Sequence, residues 1–281
     1  MLSFKKNIPR VAYRLTHKSL EPKLDWIKKQ IDIDLIPISN AESDLPVLRI
    51  TKRNLILEFG GHTLFFHPSM ALLRMINLKR GISDRFLSAV NLSKGDTILD
   101  ATMGLASDAL IAAWAVGTEG QVLAIEHSPL IYLLVKDGLI SLQNQSPPKV
   151  DNKEKKYAWQ ELIQASRRIK ICCSNHEQIL KNLPDKAIDV VYFDPMFRKT
   201  VEQSSSIKPL KIFSCQESLK KETITQACRV ARKRVVLKER IEEGEFQRLN
   251  FRLLEGGLYS PIKYGAILLE QNRGDEKCNP L

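Results

Sequence analysis

Three acidic residues stand where the residue pattern ends a strand: Asp100 in "TILDAT", Glu126 in "QVLAIEH" and Asp194 in "DVVYFDPMFRK". Ligands of open α/β sheets bind beyond the carboxyl ends of the strands, so these carboxylates belong to one crevice. Glu126 lies 22 positions after Gly104, a spacing that suits a carboxylate accepting from both hydroxyls of a ribose. The loop in "LDATMGLASDAL" departs from the dinucleotide-binding pattern. G-x-G-x-x-G repeats glycine so that backbone amides approach a pyrophosphate, whereas Gly104 is followed here by Ala106, with Asp100 and Asp108 nearby. Two carboxylates repel a phosphate. They suit a ligand with positive groups and a ribose but no phosphate, a description that S-adenosylmethionine meets through its ammonium and sulfonium. Ser107 and Asp108 have a second reading, as a helix cap and as a carboxylate set on the helix dipole.

The tetrapeptide "DPMF" (Asp194, Pro195, Met196, Phe197) puts a carboxylate, a rigid imide and an aromatic ring at the end of a strand. An amino group on a nucleobase is a poor nucleophile because its lone pair is delocalised into the ring. Methylating one requires holding the amine in line with the methyl donor and accepting its hydrogens. Asp194 offers the carboxylate acceptor and Pro195 a carbonyl on a chain of fixed φ. Phe197 offers a ring on which an extruded base stacks, worth about 1–3 kcal/mol. Taken alone, the four residues read equally as a turn-forming Asp-Pro and a core phenylalanine. Their position after an inner strand of the sheet that carries the Gly104 loop favours the chemical reading.

Positioning these residues takes a parallel sheet. From residue 97, strands ("TILDAT", "QVLAIEH", "IKICC", "IDVVYF", "RVVLKER", "YGAILLE") alternate with helices ("SDALIAAWAV", "SPLIYLLVKDGLI", "YAWQELIQASRR", "HEQILKNL", "ESLKKETITQACRVAR"). Near-continuous apolar strands separated by helices mark a parallel sheet covered on both faces. The polar "QNQSPPKVDNKEKK" reads as an exposed loop. Ahead of the sheet, residues 1–67 read as a small N-terminal α/β accessory domain: strand "RVAYRL", helix "PKLDWIKKQI", strand "DLIPIS" and a hairpin in "LPVLRITKRNLILEFGGHTLFF". Residues 68–281 form the main domain, which opens with helical periodicity in "PSMALLRMINLKRG" and "ISDRFLSAVNL".

A chain of 281 residues with 43% hydrophobic content is an ordinary globular composition. It contains no apolar run of the roughly 20 residues that a membrane span requires. "MLSFKKNIPRVAYRL" lacks the apolar centre of a secretory signal, so the expected location is the cytoplasm. The five cysteines are odd in number and have no C-x-x-C spacing, which reads as reduced thiols; Cys172 and Cys173 read as small hydrophobes in a strand. No His, Asp, Glu and Cys cluster has metal-ligand spacing, so no metal is expected. The net charge of +11 is localised: residues 1–80 carry +7 and residues 195–240 carry +8, while the intervening stretch carries −2. Two basic segments around a slightly acidic middle are the footprint of a polyanion binder.

The segments "FHPSMALLRM", "DATMGLASDAL", "LAIEHSPLIYLLVKDGL", "DVVYFDPMFRK" and "ARKRVVLKER" resemble, in that order, those of the bacterial small-subunit ribosomal RNA guanine-N2 methyltransferase family with a D-P-M-F site. The likeness runs from about residue 50 to 240 and extends to a set of bacterial proteins described as S-adenosylmethionine-dependent methyltransferases. It implies a class I methyltransferase fold: a Rossmann-like, mostly parallel seven-stranded sheet whose last strand inserts antiparallel. It also implies S-adenosylmethionine contacts from Ser107 and Asp108, from Glu126 and His127, and from Asn175 and His176 near the adenine, with Asp194 at the site of methyl transfer. Ala106 replaces a glycine common in the better-known branch, and "FRKTVEQSSSIKPL" differs from that branch's proline- and lysine-rich loop.

The resulting expectation is a methyltransferase acting on the exocyclic N2 of a guanine in ribosomal RNA or the small ribosomal subunit. Lys199, Lys208 and Lys211 are the candidate phosphate contacts. Adenine-N6 methylation of RNA or DNA requires the same acceptor geometry. A non-catalytic RNA-binding protein that retains the sheet is the alternative from another class.

Overall fold

The computed structural model describes residues 10–147, 152–195, 208–214, 217–256 and 260–269. The chain first builds β1 (Arg10–Leu15), α1 (Glu21–Gln30), β2 (Asp34–Pro37), β3 (Val47–Ile50), β4 (Leu55–Phe59) and β5 (His62–Phe65). These strands form a five-stranded sheet in the order β2-β1-β3-β4-β5. β1 is parallel to β2 and β3, and α1, with Leu24 and Ile27 buried, supplies the crossover between β1 and β2. The stretch read as one hairpin folds as three antiparallel strands because two turns divide it. At the first, the Thr51 hydroxyl donates to the Asn54 carbonyl (2.8 Å) and accepts from the Asn54 N–H (3.0 Å). At the second, Gly60 and Gly61 both have positive φ, at 55° and 76°.

α2 (Ser69–Lys79) and α3 (Arg85–Val90) lead to the second sheet. It is built from β6 (Thr97–Asp100), α4 (Ser107–Ala115), β7 (Gln121–Glu126), α5 (Pro129–Gln143), α6 (Lys153–Ser166), β8 (Ile169–Cys173), α7 (His176–Asn182) and β9 (Ile188–Phe193). Then follow α8 (Lys208–Phe213), α9 (Lys221–Val230), β10 (Ala231–Arg240), α10 (Glu245–Arg248), β11 (Arg252–Leu253) and β12 (Ile262–Leu268). The strand order is β11-β12-β10-β9-β6-β7-β8, with β12 antiparallel between β10 and β11 and every other pair parallel. This is the inserted-last-strand sheet that the resemblance implies. Every residue of β9 is buried, which is why "IDVVYF" is almost unbroken in apolar character. β6 and β9 are neighbours although β7 and β8 lie between them in sequence. The sheet grows in opposite directions from this pair, so the carboxyl ends of β6 and β9 open on the same crevice.

Three local features differ. α6 begins at Lys153, inside the segment read as loop, because the Asn152 side chain caps it by accepting from the Lys155 N–H at 2.9 Å. α10 and β11 follow β10 without a sequence signal long enough to reveal them. β8 is an edge strand, so Cys172 is exposed instead of buried. Cys173 and Cys228 are free and partly buried, and Cys215 and Cys278 lie outside the described residues. No described helix is long and apolar enough to cross a membrane.

The first sheet docks on α5 through the sequence "KDG". Asp137 accepts from the Leu55 N–H (3.0 Å) and pairs with Lys23 (2.7 Å), so one buried carboxylate ties two elements of the first sheet's unit to α5. Beside it, a Cβ on Gly138 would lie 2.1 Å from the Phe66 ring, far inside van der Waals contact. Gly138→Ala is therefore expected to destabilise the protein by about 1–3 kcal/mol, the usual cost of overpacking, measured as a lower midpoint in denaturant unfolding.

Candidate active site

The loop from Ala101 to Ala106 lies across the ends of three strands. The Ala101 N–H donates to the Tyr192 carbonyl (2.9 Å) and the Met103 N–H to the Ile125 carbonyl (2.8 Å). Ala106 closes the loop in the left-handed region, at φ 60°, as the residue before the first turn of α4. That conformation favours glycine, which explains the glycine of the related branch; alanine carries about 1–2 kcal/mol of backbone strain there. Ala106 has no capping side chain and Ser107 is the first helical residue, so the capping reading of Ser107 does not hold.

Asp100 is 2% exposed and accepts from the Thr102 N–H at 3.2 Å. Burial first, and the nearby Asp108 second, push its carboxyl well above the usual range. Glu126 accepts from the Gly104 N–H through Oε2 (3.0 Å) and from the Ser128 N–H through Oε1 (2.8 Å). Burial raises its carboxyl to about 7 despite these donors. The sequence spacing of 22 thus corresponds to a direct bond between the loop and the carboxylate. His127 is exposed at the cleft. Asn175 caps α7 by accepting from the Glu177 N–H (2.7 Å), and burial lowers the His176 imidazole, which packs edge-on against Phe193 at 5.8 Å.

Asp194 follows β9. Its N–H donates to the Thr102 hydroxyl (2.6 Å), and its Oδ2 accepts from Lys238 Nζ (2.7 Å) on β10. Lys238 also reaches Asp108 Oδ2 at 3.3 Å. Asp108 accepts from the Tyr192 hydroxyl (2.8 Å) and from Arg74 of α2 (2.5 Å), and Arg74 makes a two-point bond with Asp84, at 2.7 and 2.9 Å. Burial opposes ionisation of Asp108, but Lys238 and Arg74 outweigh it and hold the carboxyl down at about 2. Asp108 sits in the first turn of α4, as its reading on the helix dipole expects, and its charge is in addition balanced by two cations.

One cleft of about 720 Å³ is lined by Asp100, Gly104, Ser107, Asp108, Glu126, His127, Asn175, His176, Asp194 and Pro195, all chosen from sequence. Met196, Phe197 and Lys199 lie outside the described residues. Lys208 and Lys211 belong to α8, whose Leu210 lines the cleft; their side chains are likewise outside the description. Sequence reasoning missed Arg74, Asp84, Tyr192, Lys238 and Tyr264, which also line it. The available signal was a cation inside an apolar pattern, Arg74 in "MALLRMINL" and Lys238 in "VVLKE", because such a charge requires a buried partner.

The cleft fits a ligand with a ribose and an ammonium. Glu126 is an acceptor at ribose spacing, and Asp100 is a buried carboxyl that a cation would ionise. This acidic cleft at the switch point of such a sheet defines a class I methyltransferase. A family model described as "Putative SAM-dependent methyltransferase" matches residues 67–246. A Bacillus subtilis relative, "Uncharacterized protein YpiP", is 38% identical over 218 residues, covering 78% of this chain and 79% of that protein. "Ribosomal RNA small subunit methyltransferase J" of Shewanella amazonensis is 30% identical over 216 residues, covering 73% and 79%. A solved S-adenosylmethionine-dependent methyltransferase from Neisseria gonorrhoeae shares the fold, with a TM-score of 0.58 at 19% identity over 92% of this chain and 95% of that one. The chain belongs to this family of S-adenosylmethionine-dependent methyltransferases, and S-adenosylmethionine is its cofactor.

A carboxylate near 7 in the cleft gives the Glu126 assignment a pH test. If ribose hydroxyls donate to an ionised Glu126, binding favours the deprotonated form and is weakened as pH falls through about 7. Calorimetry between pH 6 and 8 is expected to show Kd rising as pH falls, by up to about tenfold per unit below that value. Glu126→Gln should bind more weakly at pH 8 and lose most of the pH dependence.

Proposed function

We propose that the protein methylates the exocyclic N2 of a guanine in small-subunit ribosomal RNA. The observation that carries this reading is the placement of Asp194, a carboxylate anchored by Thr102 and Lys238 on the same cleft as Glu126. Bound S-adenosylmethionine would supply an electrophilic methyl on its sulfonium, the sulfur keeping the carbon–sulfur bonding pair as a neutral thioether. Lys238 occupies Oδ2 of Asp194, so Oδ1 accepts a hydrogen of the amine and turns its lone pair out of the ring. As the new nitrogen–carbon bond forms, the nitrogen gains positive charge, and one of its protons passes to the Asp194 carboxylate and on to solvent. Pro195 adds a carbonyl acceptor, and Met196 and Phe197 follow it to receive the extruded base.

Glu126 holds the ribose and Asp100 the ammonium, with Gly104 and Ser107 bordering the same ligand. His127, Asn175 and His176 surround the adenine, and Asn175 does so through its amide nitrogen, since its oxygen caps α7. Asp108 contributes through its ion pairs. The basic segments at 1–80 and 195–240, including Lys199, Lys208 and Lys211, hold RNA phosphates; residues 1–67 act as the accessory domain that widens this grip. The named activity of the Shewanella relative supports a small-subunit ribosomal RNA substrate, and such a substrate fits the expected cytoplasmic location. Guanine N2 is chosen over adenine N6 on the likeness of "DPMF" and its companion segments to the guanine-N2 family.

The direct test compares nucleosides of small-subunit ribosomal RNA from cells with and without the gene, then restores the mark with purified protein. N2-methylguanine is expected to disappear and return; loss of N6-methyladenine instead would overturn the assignment. Asp194→Asn is expected to slow methyl transfer by about 10²–10³ while cofactor affinity stays close to that of the wild type. RNA affinity is expected to fall steeply between about 50 and 200 mM salt. A flat salt response in a filter-binding assay would contradict the phosphate grip.

A further inference from the structure

We infer that Lys238 is a positioning residue for methyl transfer: its ammonium, 2.7 Å from Oδ2 of Asp194, fixes that carboxylate in the cleft and leaves Oδ1 facing the amine. This rests on Asp194 being the amine acceptor. Lys238 stands on β10 opposite Tyr264 of β12 in the antiparallel register, one residue beyond the last β10–β9 pair, Leu237 with Phe193. Its side chain is about one-fifth exposed, and its Nζ lies 2.7 Å from Asp194 and 3.3 Å from Asp108.

The groups that face Asp194 come from every surrounding element. Lys238 comes from β10, Asp108 from α4, Asp100 from β6, Tyr192 from β9 and Tyr264 from β12, with Arg74 of α2 beyond Asp108. Burial leaves the Asp194 carboxyl raised above its usual range, with Asp108 adding to the rise; Lys238 is the larger of the two cationic influences that limit it. Arg74 is already committed to Asp84 and Asp108 by three close contacts of 2.5–2.9 Å and carries no direct bond to Asp194 among the described residues. A neutral Asp194 would keep only a weaker carbonyl acceptor and could not take up the proton that the amine loses. Lys238 therefore acts on the acceptor and not on the methyl donor.

The test follows the Asp194 carboxyl by carbon NMR in the full chain labelled with ¹³C-aspartate, assigning the signal by its absence in Asp194→Asn. An opposite charge at hydrogen-bond distance lowers a carboxyl by about 1–3 units, so in Lys238→Met and Lys238→Gln the midpoint is expected to rise by at least about one unit. Either variant suffices if the other fails to fold. Lys238→Arg, which keeps the charge, should stay within about half a unit of the wild type. The acidic limb of single-turnover methyl transfer to ribosomal RNA from cells lacking the gene should move upward with the midpoint. Calorimetric affinity for S-adenosylmethionine should change less than about threefold, because the residue acts through Asp194. An unmoved midpoint overturns the role of Lys238 and leaves Asp194 in place as acceptor. A moved midpoint with an unmoved rate profile overturns Asp194 as the acceptor, and this inference with it.

Discussion

Four carboxylates, those of Asp100, Asp108, Glu126 and Asp194, line one cleft, and their mutual repulsion sets the terms on which the rest of the site is built. Two unit charges about 4 Å apart near a protein surface interact by about 4 kcal/mol, so a cleft cannot keep four such groups ionised without compensation. The protein divides them. Asp108 is ionised between Arg74 and Lys238, and Asp194 shares Lys238. Asp100 is pushed toward the neutral acid, and Glu126 is poised near neutrality. The two cations arrive from α2 and β10, on opposite sides of the cofactor loop in sequence. The charge balance of the site is thus also a constraint on how those elements pack.

That balance reaches beyond the cleft. Arg74 connects Asp108 to Asp84, which caps α3 by accepting from the Leu87 N–H at 3.1 Å, and its guanidinium lies over the Phe86 ring at 5.3 Å. Phe86 in turn packs edge-on against Tyr192, whose hydroxyl returns to Asp108. The circuit joins α2, α3, α4 and β9 through alternating ionic and aromatic contacts. Because a buried charge stripped of its partner is costly, the circuit favours one arrangement of these elements. The helices that precede the sheet are consequently part of the active site's support and not a simple connection to the first sheet.

The sheet and most of the cleft were legible because they follow from local rules. Alternating apolar strands and helices required a parallel sheet, and the carboxyl-end rule picked out Asp100, Glu126 and Asp194 before any coordinates. The loop residues were found from spacing, since Gly104 and Glu126 meet through a direct hydrogen bond. Less visible was the fate of Asp108. Its position suggested a carboxylate set on a helix dipole, whereas partners 34, 84 and 130 positions away decide its charge. The meander of β3, β4 and β5 was likewise hidden, because a side-chain turn at Thr51 and Asn54 has no glycine or proline to announce it.

The sequence by itself determined the class of sheet, the three strand-end carboxylates, the phosphate-averse loop and the basic segments, because each depends on residues close in the chain or on composition. Only the tertiary structure decided which carboxylates are ionised, that Lys238 and Arg74 belong to the site, and that Ala106 takes a conformation better suited to glycine. The reason is physical. Protonation and ion pairing depend on distance and burial, and side chains such as Asp84 and Lys238, 154 positions apart, become members of one network only when the sheet and its covering helices close around them.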